Sequence, residues 1–383
     1  MRVVWLAGWY PHTQNPLGGN FIRRHFNAMC ESAPLGSSVE LFHLAPYFFG
    51  NAKPMGLPNS RSQEHVIPVI QFAKAPRFVN ALIYYALALM LVLKIRKSAP
   101  ALVHVHAADK IGIAAAFLKS IGNCDLWLTE HWAIFEQAVP DAFNLRSRWF
   151  RSSYRFLWNR LDAVASINDN MYQSMSRVLG SLPRLHPFPN VLDTVFEQDL
   201  VLNGVPVRTS DTYCFLHISN FESRKNVPSI IEAFVRFKQM FPMSQLTLIG
   251  GSLSLSEALP DGVAVLGGLP PRELIPFFRN ATALILVSEA ENAPCVLLES
   301  LCYGLPVIVT NVGGIPEMCN SHNAIQIPAF QTQEEKAEKI AEALLVFQQK
   351  NQNFDSMQIH KNAMELYATN RVSRHLWLGY QNQ

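Results

Sequence analysis

"VSEAENAPCVLLESLCYGLPVIVTNVGGIPEM", residues 287–318, combines an apolar burst, a polar loop, a helical segment and a second apolar burst. The first burst, residues 283–287, ends at the loop that holds Glu291, and a helical pattern begins near Pro294. Short apolar runs that alternate with helical periodicity are typical of βαβ units. Because ligands of parallel sheets bind beyond the carboxyl ends of the strands, the loop at Glu291 is a candidate binding site.

The same alternation runs along the whole chain and restarts once. Before the restart the apolar bursts are "VVWLAG", "ALVHVHA" and "DLWLTEH"; after the proline-rich "LPRLHPFPNVLD" they are "YCFLHISN", "LTLIGG" and "VAVLGG". The pattern predicts two α/β domains, residues 1–190 and 191–365, joined by a polar connector at about residues 189–210. A last helix is expected over residues 366–383, and the sequence leaves open whether it crosses back to the first domain. No G-x-G-x-x-G motif follows a strand, which disfavours a dehydrogenase.

Composition limits the class of protein. The chain has 383 residues, 49% hydrophobic and 16% charged, which is enough for two cores. Its six cysteines form no C-x-x-C pair, so the spacing supports neither a zinc site nor a disulfide framework. The opening "MRVVWLAGWYP" lacks the pattern of a signal peptide. We therefore expect a reducing, cytoplasmic location.

Charge is unevenly distributed. Residues 1–190 carry 19 basic and 10 acidic side chains, a balance of +9, whereas the remainder carries 13 and 19, a balance of −6. The longest apolar run, residues 78–93, is shorter than the roughly 20 residues that span a bilayer, and it contains Asn80. The basic residues that flank this run are Lys74, Arg77, Lys94, Arg96 and Lys97. Two interpretations stay open: a helix on an anionic membrane surface, or a core helix with solvated charged ends.

Glu291 and Glu299 bracket the start of the predicted helix. A helix N-terminus suits a phosphate or a sugar hydroxyl, because its N–H groups and its dipole present positive charge. Glu299 stands among Leu297, Leu298 and Leu301, and a carboxylate in an apolar neighbourhood needs donors such as the vicinal hydroxyls of a ribose. The alternative for Glu299 is an acidic side chain that interacts favourably with the helix dipole or with a nearby lysine.

The two glutamates, seven residues apart, together with "GLPVIVTNVGGIPE", resemble the signature of retaining, nucleotide-sugar-dependent glycosyltransferases of the GT-B fold, family four, group 1. Further similar stretches are "LAGWYPHTQNPLGGNFIRRH", "LVHVHAADKIG", "LTEHW", "FPNVLDTVF" and "LHISNFESRKNVPSIIEAF", so the resemblance covers about residues 1–330. It implies an α/β protein with two Rossmann-like, doubly wound parallel-sheet domains facing a central cleft. The first domain would bind the acceptor and the second the nucleotide-sugar donor.

The resemblance also implies roles for individual residues. Glu291 would contact the donor sugar near the reacting centre, and Glu299 would hold the ribose. Lys225, in "SRKN", matches the lysine that neutralises the departing diphosphate. His131, at the end of "LWLTEH", matches a histidine that faces the sugar and the acceptor; a loop histidine with satisfied hydrogen bonds is the alternative.

Glycines and backbone donors complete the implied donor site. Gly18 and Gly19 resemble the glycine turn that lets the backbone approach the diphosphate, although a simple turn with positive φ explains them equally. Pro294 removes one N–H group from the loop after Glu291. Cys295 and Val296 then offer backbone donors, and we expect Cys295 to act through its amide, not its thiol.

One departure from the family pattern concerns an arginine that many relatives carry five or six residues before the lysine. Ser219 or Asn220 occupies that position here. Arg224 is the candidate substitute, unless it is an ordinary solvated loop arginine. His104 and His106 share one face of a strand, but no third ligand has the spacing for a metal site.

The function implied by the family is transfer of a sugar from a nucleoside diphosphate to an acceptor hydroxyl with retained anomeric configuration. Neither a metal ion nor another cofactor is expected, and nucleic acid is not an expected partner. We expect the acceptor to be a lipid-linked or cell-surface glycan precursor of the lipopolysaccharide or capsule kind, reached from the inner face of the plasma membrane. The alternatives are a nucleotide-sugar epimerase of the same fold and a non-catalytic sugar-nucleotide-binding scaffold.

Overall fold

The computed structural model describes residues 1–135, 142–180, 183–208, 212–251 and 258–382. The chain forms two compact units. Unit 1 comprises Met1–Pro189 together with Val372–Gln383, and unit 2 comprises Asn190–Arg371. Each unit contains a single parallel sheet with helices between its strands.

Unit 1 is built on a seven-stranded sheet with the order β3-β2-β1-β4-β5-β6-β7. Its strands are β1 Arg2–Ala7, β2 Ser38–Phe48, β3 Glu64–Gln71, β4 Leu102–His106, β5 Asp125–Thr129, β6 Ala163–Ser166 and β7 Arg184–Pro187. Its helices are α1 Asn20–Glu31, α2 Arg77–Lys97, α3 Ile111–Ile121, α4 Arg148–Trp158 and α5 Asp169–Leu179. The central strands are apolar and buried because helices cover both faces of a parallel sheet.

Unit 2 is built on a six-stranded sheet with the order β10-β9-β8-β11-β12-β13. Its strands are β8 Cys214–Ser219, β9 Gln245–Gly250, β10 Val263–Gly267, β11 Ala283–Leu286, β12 Val307–Thr310 and β13 Ala324–Ile327. Its helices are α6 Thr194–Asn203, α7 Val227–Met240, α8 Pro271–Asn280, α9 Cys295–Cys302, α10 Ile315–Met318, α11 Glu335–Lys350 and α12 Ser356–Tyr367. The chain closes with α13, Thr369–Gln381.

The strand order locates the candidate sites in both sheets. In unit 1 the order reverses between β1 and β4, and in unit 2 between β8 and β11. All the pairings at these points are parallel, so the carboxyl ends of neighbouring strands lie at the same edge. A ligand crevice forms at such a reversal, because the connections on its two sides leave to opposite faces of the sheet.

The last helix differs from the expected segment at its start. Residue 366 lies within α12, which runs to Tyr367, and extended backbone at Ala368 separates it from α13. Within unit 1, Trp377 of α13 donates its indole N–H to the carbonyl of Met29 at 3.0 Å. Nearby, the Trp5 indole N–H donates to the Tyr380 hydroxyl at 3.2 Å. These bonds attach the C-terminal helix to β1 and α1.

Candidate active site

The carboxyl ends of β8 and β11 bring two predicted site residues of unit 2 together. Lys225 Nζ donates to Glu291 Oε1, and the Ser288 hydroxyl donates to the same oxygen at 2.7 Å. Both Lys225 and Glu291 are buried. The loops that carry them are joined directly, since the Glu289 N–H donates to the Arg224 carbonyl at 2.9 Å. An ion pair therefore lies where the strand order predicts the ligand crevice.

Asn226 shapes the loop that ends in Lys225. Its backbone is left-handed, with φ of 55°, and its side-chain amide donates to the Val287 carbonyl at 2.8 Å. The amide oxygen accepts from Lys336 Nζ at 3.0 Å, and the same ammonium donates to Glu289 at 2.5 Å. Lys336 is buried although it belongs to α11, far along the chain. Lys336 is not among the site residues predicted from the sequence, and only its place on an amphipathic helix could have indicated it.

Gly313 supports the loop of Glu291 from the other side. Its φ is +52°, and a Cβ atom there would lie 1.7 Å from the carbonyl oxygen of Glu291. The next residue, Gly314, donates its N–H to that oxygen at 3.3 Å. Thr310, at the end of β12, donates its hydroxyl to the Ser288 carbonyl at 2.5 Å. The "VGG" run after β12 is therefore required for the close approach of two backbones.

Helix α9 carries three further residues of the predicted donor site. Cys295 and Val296 are its first two residues, so their amides belong to the N-terminal turn, where N–H groups lack intrahelical acceptors. Glu299 is buried on the same helix. Burial, followed by the charge of Glu299, raises the pKa of Cys302 well above its ordinary value. The loop before α9 is anchored by Asn190, which donates its amide to the Ala293 carbonyl at 2.7 Å.

Arg224 lies at the edge of this site. It donates Nη1 to the Ala290 carbonyl at 2.8 Å, and that nitrogen is 3.9 Å from Glu291 Oε2. Its Nε donates to Glu222 at 2.8 Å, and Asn220 donates to the other oxygen of Glu222 at 2.7 Å. Asn220 is exposed. The structure thus brings Arg224 to the ion pair and leaves Asn220 on the outer side of Glu222.

Below the ion pair, His217 in β8 is fully buried. Its Nδ1 is 2.9 Å from the Ile285 carbonyl and its Nε2 is 2.7 Å from the Ser219 hydroxyl. Burial is the main cause that lowers its pKa to about 4, and the charge of Lys225 acts in the same direction. A neutral His217 therefore joins β8 to β11 beneath the site, a role the sequence analysis missed.

In unit 1, His131 follows β5 and turns its ring into a cluster of aromatic and histidine rings. Its ring centroid is 4.5 Å from that of Phe21 and 5.9 Å from that of His106, against which it stacks. Its Nε2 is buried and has no hydrogen-bond partner among the residues that the structure describes. Burial, and then the neighbouring His25 and His104, lower its pKa far below the ordinary value. The lowered pKa favours the neutral form of the His131 imidazole.

Glu130 fixes the backbone around His131. Its buried carboxylate accepts the N–H groups of His131 at 2.8 Å, Trp132 at 2.9 Å and Ala108 at 3.2 Å, and the Tyr154 hydroxyl also donates to it. Burial raises the pKa of Glu130, although these hydrogen bonds oppose the rise. The acid before His131 thus ties the end of β5 to the loop after β4.

Gly18 and Gly19 form the turn that leads into α1. Gly19 has φ of +70°, and a Cβ atom there would lie 2.8 Å from the backbone of Trp9. Gly18 donates its N–H to the Asn15 side chain at 3.1 Å. Gly8, which is not among the predicted site residues, follows β1 directly. A side chain would not fit there, because a Cβ atom would lie 2.0 Å from the Ala107 carbonyl oxygen. Its position immediately after the "VVWLA" burst was the available signal.

His104 and His106 are fully buried in the same cluster. His104 Nε2 is 2.8 Å from the Thr129 hydroxyl, and its other nitrogen contacts the Tyr380 hydroxyl. Across the residues that the structure describes, no three histidine, cysteine, aspartate or glutamate side chains are arranged to hold a metal ion.

Two doubly wound parallel sheets, each with a reversal of strand order, are the architecture of the GT-B fold. Solved structures share this fold over the whole chain. The sucrose-phosphate synthase of Thermosynechococcus elongatus is similar with a TM-score of 0.73 and 17% identity, covering 100% of this chain and 99% of that one. Anabaena HepE, solved in complex with UDP and glucose, gives 0.68 and 14% identity with full coverage of both chains.

Family comparisons identify the group. The family described as Glycosyl transferases group 1 matches residues 205–357, and Glycosyltransferase Family 4 matches residues 47–196. The chain belongs to these group 1, family four glycosyltransferases. A Bacillus subtilis (strain 168) protein named as a teichuronic acid biosynthesis glycosyltransferase, TuaC, is 23% identical over 372 residues, covering 90% of this chain and 88% of TuaC.

Proposed function

We propose that this glycosyltransferase moves a sugar from a nucleoside diphosphate to an acceptor hydroxyl with retention of the anomeric configuration and without a metal ion. The observation that carries the proposal is the buried pair of Lys225 and Glu291 at the strand reversal of unit 2. It sets a cation beside a carboxylate where a parallel sheet binds its ligand.

The diphosphate of the donor would bind between Lys225 and the N-terminal turn of α9. The amides of Cys295 and Val296 and the positive end of the helix dipole favour a phosphate there. Arg224 adds a second cation, and its bond to the Ala290 carbonyl holds it near Glu291. These groups supply the positive charge that a metal ion provides in other transferases, which is why we propose metal-independent transfer.

Glu299 would accept hydrogen bonds from the ribose hydroxyls, because it is buried and lies about one helical turn from the N-terminus of α9. Glu291 would accept a hydrogen bond from a hydroxyl of the transferred sugar through Oε2, because Lys225 and Ser288 both donate to Oε1. In unit 1, Gly18 and Gly19 form the turn before α1 without side chains of their own, and His131 would bind a sugar hydroxyl through Nε2.

In the reaction, the bond between the anomeric carbon and the phosphate oxygen breaks, and the electron pair leaves with the nucleoside diphosphate. The acceptor oxygen then bonds to the anomeric carbon on the same face, and its proton passes to the departing phosphate oxygen. Lys225 stabilises the charge that develops on that oxygen, so its effect is larger in the transition state than in the ground state.

We propose a lipid-linked or cell-surface glycan precursor as the acceptor, on the cytoplasmic side of the membrane. The support is the similarity to TuaC, whose name refers to teichuronic acid biosynthesis, along nearly the whole of both chains.

A donor screen tests the proposal. Nucleoside diphosphates and their sugars, uridine compounds first because HepE was solved with UDP, are added and the thermal unfolding midpoint is measured. A ligand at 100 times its dissociation constant stabilises the folded state by about 2.7 kcal/mol. We expect the protein to select nucleotides of one base. The rise in the unfolding midpoint on adding that nucleotide should be smaller in Lys225→Met and unchanged in the control Lys361→Met, which alters an exposed residue of α12.

The bound donor is then incubated without acceptor and with lipid extract. Labelled sugar that passes to the lipid fraction supports the proposal. A donor converted to its epimer without acceptor would identify an epimerase, and a donor that binds but never reacts would identify a scaffold. No shift with any nucleoside diphosphate would refute nucleotide-sugar binding itself.

A further inference from the structure

Helix α2 of unit 1 is apolar on all sides but buried on only one. By length and composition it is the one helix in the described part of the chain that could cross a membrane, and 28% of its most apolar window is buried. Its inner side packs into the core through Tyr84, Ala88, Leu91, Val92 and Ile95. A helix that is apolar all round is normally covered all round, so its outer side lacks a partner within unit 1.

The outer side of α2 is a continuous apolar stripe. Its exposed members are spaced so that, at about 100° per residue, they fall within about 120° of the helix circumference, which places them on one side of the helix. They are Phe78, Leu82, Leu89, Met90 and Leu93, and the first two are 65% and 64% exposed. We call this stripe the α2 surface. The sequence left open a helix on an anionic membrane surface and a core helix with solvated charged ends; in the structure one side of α2 lies in the core and the other side is exposed.

Aromatic residues extend the α2 surface at both edges. At one edge the Phe72 backbone N–H donates to the Asn80 side chain at 2.9 Å, and the exposed Phe72 and Phe49 rings stack with centroids 5.7 Å apart. At the other edge Trp149 of α4, also exposed, lies 5.9 Å from the Tyr85 ring of α2. Exposed Phe and Trp side chains beside an apolar helix are typical of proteins that lie in a membrane interface.

The charges around the α2 surface all have one sign along the helix. Lys74 and Arg77 stand at its start, and Lys94, Arg96 and Lys97 stand in its last turn. No acidic residue occurs between residues 65 and 108. A second copy of the chain is a poor partner, because antiparallel pairing of two such helices sets basic ends against basic ends. An anionic lipid surface complements both the apolar stripe and its basic ends.

We propose that the α2 surface docks unit 1 on an anionic bilayer, with α2 lying in the plane of the headgroups. The helix does not cross the bilayer in this arrangement, because its inner side stays in the core and its two ends join β3 and β4 of one sheet. This inference goes beyond the proposed function and does not depend on it, since it involves neither the donor site nor the chemistry of transfer.

Vesicle co-sedimentation of the full chain, without donor or acceptor, tests the docking. Three vesicle compositions are used: neutral phosphatidylcholine, phosphatidylcholine with a low fraction of phosphatidylglycerol, and phosphatidylcholine with a high fraction of phosphatidylglycerol. We expect binding that rises with anionic lipid and falls at high salt. Replacing Lys94, Arg96 and Lys97 by Gln should lower the partition coefficient roughly 100-fold, at about fivefold for each charge. Replacing Phe78, Leu82 and Met90 by Gln, a good helix former, should lower it by a similar factor.

Matched controls change equally exposed side chains elsewhere. Val201→Gln with Leu202→Gln removes two apolar residues that are 80% exposed on α6, and Arg236→Gln removes an exposed charge on α7. Both controls should bind vesicles as the wild type does, and all variants should keep the wild-type thermal midpoint. The proposal is overturned if the wild type stays in the supernatant with anionic vesicles at low salt, or if the α2 variants bind normally. It is also overturned if light scattering shows a dimer that the Phe78, Leu82 and Met90 substitutions dissociate.

Discussion

Removing the ammonium of Lys225 should destabilise unit 2 through Glu291, not through lost packing. The Glu291 carboxylate is 7% exposed and accepts from Lys225 and Ser288, while Arg224 stays 3.9 Å from its other oxygen. In Lys225→Met the methionine side chain takes the place of the apolar part of the lysine side chain. The Glu291 carboxylate then keeps only the Ser288 hydroxyl as a donor and the half-exposed Arg224 guanidinium nearby. Removing one partner of a buried ion pair costs about 3–5 kcal/mol. Because Ser288 and Arg224 remain, we expect about 2–4 kcal/mol.

A double-mutant cycle isolates the pair. Glu291→Gln keeps an acceptor for Ser288 but leaves Lys225 without its anion, so it should also lower the free energy of unfolding. In the combined variant neither charge is left alone, and the losses should be less than additive by roughly 0.5–3 kcal/mol, the range for residues in direct contact. The free energies come from urea unfolding followed by far-UV circular dichroism.

The chain contains an internal control for this cycle. All seven tryptophans lie in unit 1, at positions 5, 9, 127, 132, 149, 158 and 377. Tryptophan fluorescence therefore reports unit 1 alone, and comparison with circular dichroism separates a loss in unit 2 from a general loss. A coupling energy within about 0.5 kcal/mol of zero would show that the two side chains do not depend on each other, and the argument from the ion pair would be wrong.

Three further changes have expected outcomes. Gly313→Ala should abolish catalysis and lower the melting temperature, because the added Cβ would lie 1.7 Å from the Glu291 carbonyl oxygen. The control Gly204→Ala has a similar φ of +65° and open space around it, so it should cost only about 1–2 kcal/mol of stability and keep activity. Equal behaviour of the two variants would contradict the backbone contact at Gly313. Glu299→Ala should weaken binding of the free nucleoside diphosphate more than it slows turnover at saturating donor, as calorimetry and kinetics can show, because ribose contacts are about equal in ground and transition states. Unit 1 should lose stability on acidification, because four buried histidines have folded pKa values below the unfolded value of about 6.5. Their contribution to stability is present above that pH and falls by about 1 kcal/mol each between pH 6.5 and 5.5. They are His25, His43, His104 and His106, and a fluorescence-detected free energy of unfolding that stays constant over this interval would contradict the assignment.

The sequence predicts Lys225 and Glu291 as site residues, but their contact depends on strand order. β8 pairs with β11 although two strands intervene in the chain, and this reversal is a property of the folded sheet. The glycine at 313 could be found from the "VGG" run, because glycine pairs at strand ends mark close backbone approach. The sequence could therefore predict the kinds of residue at the site and the edge where they gather.

Lys336 and the outer face of α2 show what local patterns leave undetermined. Lys336 reaches Asn226 from 110 residues away, and nothing near it in the chain requires a buried ammonium. Residues 78–93 have the same apolar composition whichever side faces the core. Which side is covered depends on how α2 packs on its sheet, so periodicity alone cannot decide it.

Transfer of a labelled sugar tests the central claim most directly. The donor selected by thermal shift, labelled with carbon-13 at the anomeric carbon, is incubated with the lipid acceptor, chelator is added to remove divalent ions, and the product is examined by NMR. We predict release of nucleoside diphosphate in equal amount to the transferred sugar, the donor's anomeric configuration in the product, and a loss of kcat of at least 100-fold in Lys225→Met. Inverted configuration, or a Lys225→Met variant that changes only KM, would contradict the account.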